Sequence, residues 1–309
     1  MLTLPAHWRS PLALLALLWV TIAALFARDI VHMISIWWGS STYNHILFIP
    51  PLIMWLVADR ARLVAPLRPA PWLRGILPLF AALAIWFAGQ QSDIALLRHL
   101  GVVLLLQAAV AAALGPTLVR ALAFPLAYAL LLVPFGDEVV PIFQAITAQA
   151  CMALLALFGI PASLGGLYIT TPSGMFEVAE ACSGVMFLVA MAAFSILAAH
   201  LCFKRWKRRI IFVAAALLTT IIANALRAFG TILIAENYGH DTARGFDHLV
   251  YGWIFFAVTI VAVMLVARRW FDRPANDPAV DISRVTAPLF PAFPSEDEGP
   301  VRAQREPAP

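Results

Sequence analysis

The spacing of its apolar runs limits most strongly what this chain can fold into. A membrane helix needs about 20 mostly apolar residues to cross a hydrocarbon core of roughly 30 Å. Runs of that kind recur at about 11–27, 45–58, 75–89, 98–115, 120–135, 183–203, 210–235 and 249–267. In lipid each segment must satisfy its own backbone hydrogen bonds, so the runs are expected to be helices. Soluble domains carry about a quarter charged residues. This chain of 309 residues is 12% charged and 62% hydrophobic, with a mean hydropathy of +0.86. An ordinary soluble enzyme, a disordered chain and a collagen-like chain are thereby excluded. The fold class expected is an all-α polytopic membrane protein of about eight transmembrane helices.

A ninth apolar stretch, 139–159, is interrupted by Pro141, Gln144, Thr147, Gln149 and Gly159. The positive-inside rule decides its place. Basic clusters stand at Arg60/Arg62/Arg68/Arg74, at Lys204/Arg205/Lys207/Arg208/Arg209 and at Arg268/Arg269/Arg273. Eight spans with both termini inside put all of them on the cytoplasmic side, together with Arg9, Arg120 and the tail's Arg284, Arg302 and Arg305. A further crossing at 139–159 would move one or more clusters outside, so this stretch is expected to be an outer-surface or re-entrant helix. Of the Lys and Arg residues, only Arg28, Arg98, Arg227 and Arg244 fall elsewhere. The net charge of +4 and the pI near 9.2 are then mostly topology. The partner they imply is a lipid bilayer, and nucleic acid is not expected. The first run is read as a retained span, because a cut after Ala27 would put Leu25 at a position that signal peptides fill with small residues.

Two units are expected: a transmembrane domain over 1–270 and a disordered cytoplasmic tail over 271–309, rich in Pro and acidic residues and lacking apolar periodicity. No internal repeat is evident. The longest polar stretch on the outer side is 160–181. Leu167-Tyr168-Ile169-Thr170 and Met175-Phe176-Glu177-Val178 are strand-like, and Thr171-Pro172-Ser173-Gly174 supplies turn residues between them. A short extracytoplasmic β-hairpin is expected there. Isolated hairpins are marginal in water, so it must rest on the helices or on 139–159.

Ionisable groups in or near spans are the first functional candidates. Arg227 lies 18 residues beyond Arg209, about 27 Å along a helix, which is near the outer boundary. Asn224 precedes it by three residues, on the same helical face. Either Arg227 snorkels to the outer headgroups, or it belongs to a polar interior face that Asn224 shares. Cys182 opens the sixth span, at its outer end. A thiol at a helix start feels the positive dipole end and free N–H groups, which favour thiolate and can also stabilise an oxyanion; alternatively it is a small packing residue. His248 opens the eighth span, again outside, next to Asp247, which caps that helix or orients the imidazole. His32, His45, His99 and His240 also fall on or near the outer side, so topology does not choose among the histidines. Cys151 and Cys202 are read as packing residues. The three cysteines lack a CxxC pair and the spacing of a zinc site. Gly-rich phosphate loops, HExxH and GxSxG are missing from the sequence. No metal site and no cofactor are expected.

Glu180-Ala181-Cys182-Ser183-Gly184, Asn224-Ala225-Leu226-Arg227, and Asp247-His248 with Gly252-Trp253 resemble the motifs of the exosortase/archaeosortase family of polytopic membrane cysteine transpeptidases. The resemblance is closest to the exosortase A branch. Four further runs look alike: Asn44-His45 leading to Pro50-Pro51 and Asp59-Arg60-Ala61-Arg62-Leu63; Val133-Pro134-Phe135-Gly136-Asp137; Thr171-Pro172-Ser173-Gly174; and Trp206-Lys207-Arg208-Arg209. It covers about residues 40–270. Some relatives of that branch carry an additional C-terminal domain; here only the short tail follows the eighth span.

The resemblance implies that Cys182 is the nucleophile and that Arg227 and His248 are the second and third catalytic residues. Glu180, Ser183, Asn224, Asp247 and His45 are supporting candidates. It also implies the substrates: exported bacterial proteins bearing a C-terminal signal made of a Pro-Glu-Pro motif, a transmembrane helix and a basic end. These would be cut through a thioester and passed to an unknown acceptor, in connection with exopolysaccharide production. The setting implied is the bacterial inner membrane. The depth of Cys182, Arg227 and His248 fits, because the basic end of such a signal stays inside and leaves its motif at the outer surface. Two other classes compete. A transporter would use Arg227 and Asn224 to line a path, but paired or inverted repeats are not evident. A non-catalytic membrane component of a polysaccharide assembly complex would keep its function without the three catalytic candidates.

Overall fold

The computed structural model describes residues 6–239 and the backbone of 248–273, with side chains from 252 onward. Of the expected tail, 271–309, all but 271–273 lies outside the described residues, as does Asp247. Among the described residues, seven helices are long and apolar enough to cross a membrane, or eight counting a bent pair.

Helix α1 (Arg9–Leu25) is followed by α2 (Ala27–Gly39), which makes a bend of 110° with the next arm, a 3-10 turn Asn44–Phe48 continuing into α3 (Ile49–Asp59). Pro50 and Pro51 stand in the first turn of α3, where a missing N–H costs nothing. The short α4 (Ala61–Val64) precedes the hairpin of α5 (Ile76–Gln91) and α6 (Ala95–Leu114). These two helices approach closely because glycine stands at the contacts: a Cβ on Gly101 would lie 2.6 Å from that of Trp86. Helices α1, α5 and α6 share one apolar cluster that includes Leu15, Ile22, Ala82, Val102 and Ala109.

The expected span at 120–135 is broken into α7 (Pro116–Ala121), α8 (Ala123–Tyr128) and a 3-10 turn Ala129–Leu132. It nevertheless runs the length of the bundle beside α10 (Val185–Cys202). Phe124 stacks on His200 at 3.5 Å, the Tyr128 hydroxyl donates to the Ala193 carbonyl at 3.2 Å, and Gly136 abuts Val185 and Val189. Helix α9 (Val140–Leu157) has the length and apolarity of a span. Its neighbours, though, hold both of its ends near one end of the bundle. Gly136, just before it, meets the first turns of α10, and Phe158, just after it, packs on Phe229 with ring centroids 5.1 Å apart.

Beyond α9 come β1 (Ser163–Gly165), β2 (Tyr168–Thr171) and β3 (Gly174–Glu177), an antiparallel sheet in that order with Ile169 opposite Phe176. The hairpin of β2 and β3 is the expected one; β1 adds a strand. Ile169 and Val178 bury their side chains with Ala148, Cys151 and Leu155 of α9 and with Phe229 and Ile232 of α11 (Trp206–Tyr238). The 33 residues of α11 make a rod of about 50 Å, longer than a hydrocarbon core, and its last turns form the wall on which the sheet sits. Helix α12 (His248–Ala267) closes the bundle.

The basic clusters gather at one end. The Arg60 guanidinium donates to His200 Nε2 at 2.7 Å, and the backbone N–H groups of Asp272 and Arg273 donate to the Cys202 carbonyl. Trp8 Nε1 donates to the Ala65 carbonyl at 3.0 Å. Cys182 stands at the opposite end of α10, about 27 Å away for an 18-residue helix. Helix α2 lies across that opposite end. Its Asp29 meets Arg98 at 3.3 Å and accepts from Trp86 Nε1, while Trp37 Nε1 donates to the Leu132 carbonyl.

Candidate active site

Cys182 closes a 3-10 turn, Glu180–Cys182, that links β3 to α10. The turn is tied by Cys182 N–H to the Ala179 carbonyl at 2.8 Å and by Ser183 N–H to the Glu180 carbonyl at 3.0 Å. The thiol is half-buried, and its side chain packs with the apolar cluster under the sheet. Gly184 follows with φ +83°, and a Cβ there would come 2.5 Å from Cγ of Asn224. Only glycine meets both conditions, left-handed backbone and contact with Asn224. Buried Ser183 turns its hydroxyl to the Val185 N–H at 3.3 Å and its carbonyl to the Thr147 hydroxyl at 3.4 Å.

Asn224 is the hub. Its amide Nδ2 donates to the Cys182 carbonyl at 3.0 Å and to Thr147 Oγ1 at 3.1 Å, and its Oδ1 accepts from Arg227 Nη2 at 3.1 Å. One side chain therefore ties the backbone of the cysteine turn to the guanidinium. Arg227 is only 2% exposed, which removes the snorkelling alternative. It lies over the ring of Phe187 at 5.6 Å, and a Cβ on Gly252 of α12 would come 3.8 Å from its Nη1. A guanidinium held this way is desolvated on its face and oriented along its edge, an arrangement suited to binding an oxyanion or a carboxylate.

His248 is the first residue of α12, one helical turn before Gly252, so its backbone starts the helix that packs against Arg227. Its imidazole lies outside the described residues. Among the supporting candidates, Ser183 and Asn224 belong to the site. Glu180 is exposed and contributes its carbonyl to the turn. His45 bonds back to the Thr42 carbonyl at 3.1 Å, in the wall made by α2 and the following turn, apart from the group Asn224 gathers.

Helix α9 contributes residues that were not singled out as site residues. Gln144 Nε2 donates to the Val178 carbonyl at 2.8 Å, Thr147 joins Ser183 and Asn224, and buried Cys151 points its thiol at the Ala225 carbonyl at 3.9 Å. Their spacing of three and four residues puts them on one helical face. That spacing in an apolar run was the available signal. Phe187 gave none, being one apolar residue among many in α10.

A family model described as transmembrane exosortase (EpsH) matches residues 37–265. The chain belongs to the transmembrane exosortase family, in keeping with the motifs around Cys182, Arg227 and His248. No curated protein and no solved structure matches it.

Proposed function

We propose that this protein is a membrane-embedded cysteine peptidase and transpeptidase acting on C-terminal sorting signals of the Pro-Glu-Pro type. The observation that carries the reading is the Asn224 bridge, which holds the Cys182 turn and the buried Arg227 guanidinium together at the end of the bundle away from the basic clusters. The Cys182 thiolate attacks the scissile carbonyl carbon. A C–S bond forms, the C–N bond breaks, and the leaving amine takes a proton from His248. Arg227 stabilises the oxyanion of the tetrahedral intermediate or holds a substrate carboxylate. An acceptor amine then attacks the thioester, gives a proton back to His248, forms an amide, and returns the sulfur as thiolate. If water attacks instead, the product is a free carboxylate.

The substrates are exported proteins whose signal helix enters the bilayer beside the enzyme with its basic end inside. The enzyme sits in the bacterial inner membrane with both termini cytoplasmic and the site on the extracytoplasmic face, and its products feed exopolysaccharide-linked surface assembly. The test is processing of a sorting-signal reporter by Cys182→Ala and Cys182→Ser variants, with mass spectrometry of the new C-terminus. The reading expects processing to be abolished in the alanine variant. Full processing there would remove Cys182 as nucleophile.

A further inference from the structure

Toward the basic end, α11 and α12 line a groove of about 630 Å³. Its walls are almost wholly apolar: Phe203, Phe212, Ala215, Ala262, Val266 and Trp270. The groove is a built feature, since the helices that line it are held by packing on the bundle side and by polar contacts at the basic end. On its bundle side, Phe187 and Met191 of α10 pack with Ala216 of α11 and Phe256 of α12. At the basic end a polar clasp joins α11 and α12: Arg208 Nη1 donates to the Trp270 carbonyl at 3.0 Å and meets Asp272 at 3.5 Å, and Asp272 accepts from the Lys204 N–H at 2.6 Å. The small side chains of Ala215 and Ala262 line the groove from exposed positions and leave it open.

An apolar slot opening toward lipid is filled by hydrocarbon, so its occupant is either an acyl chain or another helix. The rim decides between them. Arg208 lines the groove, and Lys204, Arg205, Lys207, Arg268 and Arg269 are exposed on the same two stretches of chain that supply Phe203, Arg208 and Trp270 to its wall. Trp206 and Trp270 are exposed at the same level, as aromatic residues are where hydrocarbon meets headgroups. The single carboxylate of these two stretches, Asp272, is already taken by Arg208 and the Lys204 N–H. A signal helix with a basic end would bring like charge to this rim. An anionic headgroup brings the opposite charge, and basic pockets between membrane helices select such lipids.

We propose that the groove between α11 and α12 binds one acyl chain of an anionic phospholipid from the leaflet at the basic end, with the lipid phosphate on Arg208 and its basic neighbours. This does not depend on the chemistry assigned to Cys182.

The experiment uses the full chain, purified in detergent, offered equimolar phosphatidylglycerol and phosphatidylcholine, and read by native mass spectrometry. The expected result is one retained phosphatidylglycerol, at least tenfold in preference. Ala215→Leu and Ala262→Leu add side chains that fill the slot from exposed positions, and the double variant is expected to lose that lipid. Arg269→Gln, which leaves the clasp intact, is expected to lower the preference severalfold. Size-exclusion profiles matching the parent protein show that the variants fold. Equal retention of the two lipids overturns the anionic assignment, and unchanged retention in the double leucine variant overturns the groove. Displacement of the lipid by a synthetic apolar helix with a basic end would give the groove to the signal helix instead.

Discussion

At the scale of single residues, the site depends on Asn224 and Gly184 as much as on the three groups expected to do chemistry. Asn224→Asp keeps the shape and can still accept from Arg227, but it has no N–H for the Cys182 carbonyl or for Thr147. The expected outcome is normal accumulation in membranes with processing of a signal reporter at least tenfold lower. Normal processing would mean that the bridge is not used in turnover. Asn224→Ala leaves a buried carbonyl and guanidinium short of partners, and a stability loss of about 1–3 kcal/mol is expected in thermal unfolding. Gly184→Ala adds both a left-handed strain of roughly 1–2 kcal/mol and a contact that Asn224 cannot relieve without letting go of Cys182. Arg227→Lys keeps a charge but loses the planar edge that Asn224 grips and the face that lies over Phe187. Its processing is expected to fall at least as far as that of Asn224→Asp; parity with the parent protein would show that a point charge suffices. Arg227 and Cys182 were legible in the sequence because a charge inside an apolar run and a thiol at a span boundary are local anomalies. Gly184 was legible only as a motif letter, since its reason is a side chain 40 positions away.

At the scale of elements, the sheet and α9 form the casing of the site. The turn of the β2–β3 hairpin is fastened to the last turns of α11: the Ser173 hydroxyl donates to Glu236 Oε1 at 2.7 Å, and the Ser173 N–H reaches the same oxygen at 3.3 Å. Ser173→Ala removes the shorter bond and leaves the apolar underside, Ile169 and Val178, in place. A net hydrogen bond contributes about 0.5–1.5 kcal/mol, so global stability is expected to change little. Limited proteolysis at 171–174 should accelerate severalfold. Because β3 runs directly into the Cys182 turn, processing should also drop; unchanged proteolysis and processing together would show that the fastening is incidental. The hairpin could be read from the sequence because its signals are short-range: alternating strand residues around a Thr-Pro-Ser-Gly turn. β1 could not, since Ser163-Leu164-Gly165 has one apolar residue and acquires its pairing only from β2. The contribution of α9 was hidden for a related reason. Gln144 and Thr147 look like interruptions of an apolar run, and Cys151 like packing, until the carbonyls of Val178, Ser183 and Ala225 are placed opposite them.

At the scale of the whole molecule, the helices sort their charges by end, and the chain holds its own reporters of which end faces where. The basic clusters meet around Arg60, His200, Cys202 and Asp272. Burial draws the Arg60 pKa down, partly offset by neighbouring Asp59. Arg60 itself is 2% exposed, a burial that its place in a basic run did not announce. Its partner His200 is at the same end of α10 as half-buried Cys202, while half-buried Cys182 precedes the other end and Cys151 is fully buried. The two partly accessible thiols are therefore separated by the whole of α10, a distance close to the thickness of a hydrocarbon core. If the basic end faces the cytoplasm, a membrane-impermeant maleimide applied to intact spheroplasts should label the Cys151→Ala/Cys202→Ala variant at Cys182. The Cys151→Ala/Cys182→Ala variant should stay unlabelled until the membrane is permeabilised. The reverse pattern would invert the bundle and place the site on the cytoplasmic side, where an exported signal could not present its motif to Cys182. Labelling of both variants without permeabilisation would mean that α10 does not span. This measurement needs no turnover, so it separates an error in topology from an error in the catalytic assignment.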